Sequence, residues 1–544
     1  MKKALLFMVA FLALSAYTQA QWIEQATGFS APSRGINYVS IVNPNVVWAI
    51  AYDGAAGSGT TINEFTRTVN GGTLWTPGQV LGGTTYGLGN ISAVSDQIAY
   101  VALYKGNNLA QDATCGVYKT TNGGVTWTHM TGALQGSASF ADNVYFWDAN
   151  SGMCHGDVNS GYFEIYTTTN GGSTWTRVPQ SNIIATVASG EGGWTSVIDA
   201  VGDSTVMFGT NKGKIYISND RGFHWFGVAT GIIPASAGTA GVAHIAFIDK
   251  MHGLAAQGYN SAATNGDTTL QIFETSDGGH TWGHVTFTGR AFSNWLSAVQ
   301  GSPNTYVSHG GNPNYNAIAT GVTYSWDGGH TWTAMDATLG TQFLAAEWYN
   351  DSTAWSGNFN TDNTTGGIWK WTGHLVQPLA DFMTPDTLLP QGGTATFVNE
   401  STGNPTTYHW TFQDGNPGSS ALKNPPVITY NISGFKNVTL IITSDYGTST
   451  KVKTGYIHVG GLGINELNAN AVSVFPNPAK DVMTVQAINN IKEIQVYNAT
   501  GQLVINQTVN AKMITVNTSG LTTGIYNLKA ILDNGTINKK VVIQ

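Results

Sequence analysis

The sequence predicts an all-β chain built largely from small repeated sheets, and three observations carry that expectation. Only 10% of the 544 residues are charged, whereas Gly (67), Tyr (22) and Trp (17) are abundant. A typical chain has ~25% charged residues. The low-charge, Gly- and aromatic-rich profile suits short strands and tight turns rather than long solvent-exposed helices. Second, an eight-residue segment closing on Trp recurs six times. Third, the steps between those tryptophans are even, at 52, 48, 50, 57 and 50 residues, as expected if each repeat is one supersecondary unit. Hydrophobic residues are 42%, enough to fold a core, and the length suggests about three or four domains. The net charge is -8 and no basic run follows residue 3, so nucleic acid is excluded as a partner.

The chain opens with an export signal. Lys2 and Lys3 precede the almost wholly apolar run Ala4 to Ala16, and Thr18 and Ala20 hold the small-residue positions of a cleavage site. Residues 1–20 are therefore expected to be a secretory signal peptide cut after Ala20. The run is too short to span a bilayer, which takes ~20 apolar residues. No other segment is a candidate, so no transmembrane segment is expected.

The six repeats read Thr68 to Trp75, Thr120 to Trp127, Thr168 to Trp175, Ser218 to Trp225, Thr275 to Trp282 and Ser325 to Trp332. Each begins with Ser or Thr, has Asn or Asp at the third position and Gly at the fifth. The Asx side chain can bond its own backbone two residues on, and Gly can take φ > 0 without a Cβ clash. Each segment is thus a turn between two antiparallel strands, with Trp packed over it. The pattern resembles the Asp-box of BNR and sialidase-like β-propellers over roughly residues 22–375. The resemblance implies that the box joins the third and fourth strands of a blade, away from the ligand face. The Asn and Asp residues then lock turns rather than catalyse.

Counting blades gives seven. Tyr38–Val42, Val46–Ala51 and Asn63–Thr68 are the first three strands of blade 1. Phe343–Trp348, Thr353–Ser356 and Gly367–Trp371 form a seventh set without a box. Trp22 to Gly28 looks like the strand after a box, and lies 53 residues before Trp75. It is expected to supply the missing fourth strand of blade 7, closing the ring and removing an unpaired edge. Residues 21–375 are therefore read as a seven-bladed β-propeller, followed by two immunoglobulin-like β-sandwich domains.

In the first, residues 378–461, Trp410 to Gly415, Asn424-Pro425-Pro426, Tyr430 and Gly434 to Leu440 resemble the PKD domain. Gln413 replaces the Gly of that family's motif, a departure expected to alter a turn and not the fold. In the second, residues 464–544, Val474 to Ala479, Ile494 to Tyr497, Asn498 to Gly501, Leu521 to Tyr526 and Lys539 to Val542 resemble the C-terminal sorting domain of the Bacteroidetes type IX secretion system. That resemblance implies passage through the periplasm, the type IX machinery as a partner, and release or anchoring at the outer surface.

Function is sought on the propeller face carrying the inter-blade connections and the loops between second and third strands. A sialidase resemblance would require three arginines converging on a carboxylate, a fork that is hard to replace. The chain has five: Arg34, Arg67, Arg177, Arg221 and Arg290. Only Arg34 and Arg290 are placed to reach this face, and the family's R-I-P motif is absent, so sialidase is disfavoured. Another glycosidase would need two carboxyls ~5–9.5 Å apart. Asp53, Asp112, Asp157, Glu191, Asp267 and Asp362 are the candidates, each read first as a turn or solvated residue. No H-E-x-x-H, G-x-S-x-G or P-loop pattern occurs. His155 and His309 read as isolated hydrogen-bonding loop residues, so no metal, cofactor or catalytic residue is assigned. Neutral sugars are held by aromatic platforms and amides, and the loops supply Tyr104, Asn107, His155, Tyr162, Trp194, Trp295, Asn312, Tyr315 and Phe359 as candidate ligand contacts.

The resulting reading is a secreted or cell-surface binding protein that recognises a glycan or a surface protein. The alternatives are a glycoside hydrolase on neutral polysaccharide and a scaffold resembling photosystem assembly factors of the same repeat class. Opposed carboxyls across the central pocket would favour hydrolysis. Cys115 and Cys154 are the only cysteines. In an oxidising compartment a disulfide between them is expected, provided their Cα atoms come within ~7 Å.

Overall fold

The computed structural model describes residues 21–55, 60–83, 85–106, 109–234, 239–259, 270–292, 294–311, 320–335, 338, 340–460, 471–533 and 535–544. It is all-β, and a 3-10 turn spans Gln180–Asn182. The chain divides into two compact units, residues 1–376 and 377–544.

The first unit is a seven-bladed propeller. Blade 1 runs Arg34–Asn43, Val46–Asp53, Glu64–Thr68 and Thr76–Gln79. The inner strands of blades 2 to 7 are Tyr86–Ala93, Ala141–Phe146, Gly193–Val201, Thr239–Phe247, Trp295–Ala298 and Ala346–Asn350. Each leads into an antiparallel meander. Blade 7 takes its fourth strand from the other end of the unit, with Trp22–Ala26 pairing antiparallel to Gly367–Trp371 from Trp22↔Trp371 to Ala26↔Gly367. The expected closure is therefore present. The Trp22 ring lies edge-on to Trp348, Phe343 and His309 at 5.4–5.8 Å, burying the seam. Blades 4 and 6 each gain a short parallel outer strand, Ile183–Ile184 and Thr288–Gly289, that the repeat pattern does not signal.

The repeated turn has the expected chemistry, in fuller form. Thr68 Oγ1 donates to Asn70 Oδ1 (2.9 Å) and accepts from Gly72 N (2.8 Å), while Asn70 Oδ1 also accepts from Leu74 N (3.0 Å). The same Ser/Thr–Asx–Gly set recurs at Ser218, Asp220 and Gly222. Both the fourth and fifth positions are left-handed, at φ 67° and 87° for Gly71 and Gly72. Arg221 holds the fourth position at φ 61°, which a non-Gly residue adopts only at a cost. Trp225 and Trp332 then donate Nε1 to the fifth-position carbonyl at 2.8 Å.

In the second unit, the first sandwich packs Phe382, Phe397, Trp410, Phe412, Tyr430, Leu440 and Ile442 into one core. Gln413 leaves that fold intact: its Oε1 accepts from Asn437 N at 3.0 Å, tying the turn to the neighbouring strand. The last sheet pairs Val472–Phe475, Val482–Tyr497, Leu503–Asn517, Gly524–Leu532 and Gly535–Ile543 around Met483, Val485, Ile494, Val496 and Leu528. Alternation along Val482–Tyr497 and Gly524–Leu532 puts apolar residues on one face, as the burial pattern shows. No helix among the described residues is long and apolar enough to cross a membrane.

The two cysteines correct an expectation. Both thiols are free and buried. Cys115 directly precedes the third strand of blade 2, at its connection-face end. The second strand of blade 3 runs Gly152–Asn159, so Cys154 lies near its start. Register places the two about three residues apart in height, ~10 Å at 3.4 Å per residue, so no bridge forms. Burial pushes both thiols up from their ordinary range.

Candidate functional site

Of the nine expected ligand contacts, Asn107, Asn312 and Tyr315 lie outside the described residues. The other six do not converge on one site. Tyr104 is the penultimate residue of the second strand of blade 2, Ala99–Lys105, with its ring 4.8 Å from Phe140. Tyr162 lies beneath the Arg177 guanidinium at 4.3 Å. Phe359 packs edge-on to Tyr52 at 5.5 Å and fills the space where a Cβ on Gly35 or Gly54 would sit. His155 and Trp194 do meet: Asn143 Nδ2 donates to His155 Nε2 (3.0 Å) and to the Trp194 carbonyl (2.8 Å). Trp194 is held through its backbone carbonyl, and the residue is 36% accessible.

The two histidines are strand residues rather than loop residues. His155 is buried in the second strand of blade 3, stacked on Phe208 at 3.9 Å. His309 is buried in blade 6 and accepts from Trp348 Nε1 at 3.3 Å. Burial drives both imidazoles down to about 3, so each is a neutral core group. Beside His155, Asp142 is buried with its Oδ2 3.9 Å from His155 Nδ1, and neither atom has a hydrogen-bond partner among the described residues. Burial, then Asp157, holds the Asp142 carboxyl well above its usual range.

The connection-face carboxyls are committed locally. Asp53 pairs with Arg34 at 3.1 Å. Asp112 pairs with Lys105 and accepts from Thr114 N, and the Lys105 bond chiefly holds it down at about 2. Asp157 accepts from Gly193 N at 3.0 Å. Glu191 pairs with Lys214 at 2.8 Å and accepts from Ala188 N. Asp362 caps its own turn through Thr364 N at 2.7 Å. Asp267 lies outside the described residues. The arginines are dispersed as well. Arg34 is bound by Asp53 and Glu64, Arg67 lies over Trp48, Arg177 over Tyr162, and Arg221 reaches Asp203 O. No three of these four converge.

The inner strands bring together a set that the motif search missed. One residue per blade, at the same register, lines the central channel: Ser40, Ser92, Tyr145, Asp199, Ala246, Ser297 and Glu347. Each pairs with the second-strand residue that sits one step above the turn, as Ser40↔Trp48 and Asp199↔Met207 show. Their even spacing along the chain was the available signal. Several tie one blade to the next. Ser40 Oγ accepts from Ala93 N (3.1 Å), Ser92 Oγ from Phe146 N (2.9 Å) and Asp199 Oδ2 from Phe247 N (2.6 Å). Asp199 thus takes the linking role that serine has in blades 1 and 2.

Glu347 makes no hydrogen bond among the described residues, although it lines the channel. Burial pushes Asp199 up to about 7, and burial together with Asp199 pushes Glu347 up to about 8. Tyr38 stands in the same space with its phenol raised by burial and then by Glu347 and Asp199. The Trp295 ring faces Tyr38 edge-on at 6.2 Å. Above this level the channel is crossed by Ser196, a bulge residue at φ 63°. Its Oγ donates to Gly89 O of blade 2 (2.7 Å) and its N donates to Asn143 Oδ1 of blade 3 (2.9 Å).

Residues 473–544 match the secretion system C-terminal sorting domain family, and residues 375–459 match the PKD domain family. The type IX sorting domain directs the chain to secretion at the cell surface. No curated protein matches the chain. Solved structures that match the chain include YCF48 from Cyanidioschyzon merolae, 15% identical over 64% of this chain and 98% of that one, with a TM-score of 0.40. The GH74 xyloglucanase from Xanthomonas campestris is 10% identical over 95% of this chain and 87% of that one, with a TM-score of 0.41. PorZ, a surface component of the type IX secretion system of Porphyromonas gingivalis, is 11% identical over 94% and 81%, with a TM-score of 0.18. None of the three is alike enough to carry an argument about ligands.

Proposed function

We propose that the propeller is the binding module of a surface protein and recognises a glycan or protein ligand on its connection face, without hydrolysing it. One observation supports this reading above the others. Five of the six candidate carboxyls on that face are committed to turns, strand ends or ion pairs, while Trp194 stays exposed there. Glycoside hydrolysis needs one protonated and one ionised carboxyl flanking the bond. The channel carboxyls of Asp199 and Glu347, pushed up by burial to about 7 and about 8, lie on the other side of the Ser196 crossing from that face. An exposed indole whose backbone is already anchored offers an apolar platform at little entropic cost.

The test uses the secreted chain on a glycan array, with release of reducing ends followed on every glycan retained. Retention without new reducing ends, lost in Trp194→Ala, is the expected result. Reducing ends appearing on a retained glycan would replace binding by hydrolysis.

A further inference from the structure

The channel cavity is a second candidate site, on the other side of the Ser196 crossing from Trp194. It has a volume of about 160 Å³ and is lined by the inner strands of all seven blades. Phe247 ends its strand and Gln300 lies just beyond one, both among the lining residues. The cavity therefore reaches toward the end of the channel where first-to-second-strand hairpins and the repeated turns lie.

Its polar groups can be accounted for one by one. Ser40 and Ser92 each accept a backbone N–H, and Ser297 Oγ donates to Ala346 O. Gln300 Nε2 donates to Phe247 O at 2.9 Å. Asp199 accepts from Ala200 N and Phe247 N. What remains unspent among the described residues is the Glu347 carboxyl, with the Tyr145 phenol, while the Tyr38 phenol is hydrogen-bonded with Asn90. No Lys, Arg or His is among the lining residues. The titratable groups facing the space are Tyr38, Tyr145, Asp199 and Glu347, with His244 behind Trp295 at 5.4 Å. Asp199 and Glu347 stand on blades 4 and 7, across the channel from one another. The cavity thus offers acceptors from two sides, aromatic rings between them, and no counter-cation.

We propose that this cavity binds a small primary amine as its alkylammonium ion, with the Glu347 and Asp199 carboxyls as counter-charges and the Trp295 and Tyr38 rings as walls. An ammonium has three donors and no acceptor, which suits two carboxyls that can ionise toward it with no Lys, Arg or His among the lining residues. Its charge is also attracted to the face of an indole or phenol ring. A neutral alcohol of the same size gains at most one of these contacts. Burial leaves the carboxyls inclined to hold protons, and a bound cation favours their ionised form. Binding therefore displaces a proton from a carboxyl to the buffer.

Calorimetry of the intact secreted chain with n-butylamine and with 1-butanol near neutral pH tests this. Butylamine should bind roughly tenfold or more tightly than butanol, the value of one charge-assisted hydrogen bond. Glu347→Gln should lose roughly that factor while its melting temperature is not lowered. In the unmodified chain, comparing buffers of different ionisation enthalpy should show protons released on amine binding, a readout that needs no variant. Equal affinity for amine and alcohol, no binding of either, no proton release, or an unchanged Glu347→Gln would each overturn the proposal. So would calcium ions binding at the same site in preference to the amine. Glycan retention through Trp194 would be unaffected by any of these outcomes.

Discussion

Trp194 and Trp225 are the same side chain in opposite circumstances. Trp225 is 1% exposed and donates Nε1 to Gly222 O, so it holds a turn and a blade core together. Trp225→Ala should cost ~3–5 kcal/mol of stability, read as a large drop in melting temperature. Trp194 is held by its carbonyl, which alanine keeps. Trp194→Ala should therefore melt like the unmodified protein while weakening ligand retention roughly thirtyfold, the factor for losing ~2 kcal/mol at an aromatic hot spot. Unchanged binding, or a melt as low as that of Trp225→Ala, would remove Trp194 from the site. The channel carboxyls give a pH signature. An acid whose folded pKa is raised keeps its proton while the unfolded chain releases it. Stability is then lost as pH rises from the unfolded value, about 4, through the folded values of about 7 for Asp199 and about 8 for Glu347. Glu347→Gln cannot ionise, so its melting temperature should exceed that of the unmodified protein most clearly near pH 8 and least near pH 4. Equal differences at both ends would mean that Glu347 is ionised in the folded protein.

At the level of single elements, the strand Trp22–Ala26 tests how the ring is closed. It adds five residue pairs to Gly367–Trp371 and places Trp22 among Phe343, Trp348 and Trp371. Removing residues 21–29 opens an unpaired edge and leaves three aromatic rings partly wet, so the melting temperature should fall sharply. An unchanged melt would mean that closure contributes little. This strand was legible because its Trp keeps the repeat's period although its turn is missing. The turns were legible because Asx, Gly and Ser or Thr each meet a local geometric need. The outer strands Ile183–Ile184 and Thr288–Gly289 were not, since a two-residue parallel pairing leaves no period. The site was less readable for the same kind of reason. His155 and His309 looked like loop residues because the sequence marks where a strand's turn lies, not how far the strand extends. Asp199 and Glu347 carry no motif at all. They become a pair only when seven inner strands are set side by side at one register, a relation between residues about 150 positions apart. Tyr162 and Phe359 were correctly read as aromatic, yet Arg177 and Tyr52 had first claim on their rings.

For the whole molecule, the separation of cores decides what can be removed. The sorting domain's core draws only on residues 472–543 and the PKD core only on residues 380–459. The propeller's clusters draw on residues before 376 alone. Each of these clusters is built from residues of its own domain, so each core has its own apolar residues to pack. A chain ending near Gly461 should therefore keep the propeller's melting transition and its ligand retention. Export is a different matter, because the address lies in the missing residues: the match to the sorting domain family covers 473–544. In a native type IX host the shortened chain should be found folded in the periplasmic fraction and not at the cell surface. Cell fractionation with surface protease accessibility reads the two compartments. If the shortened chain reaches the surface as efficiently as the full one, the sorting signal lies elsewhere. If it fails to fold, the propeller leans on the C-terminal domains through contacts outside these cores. Folded, retained in the periplasm and still able to bind is the combination that follows from independent cores and one terminal address.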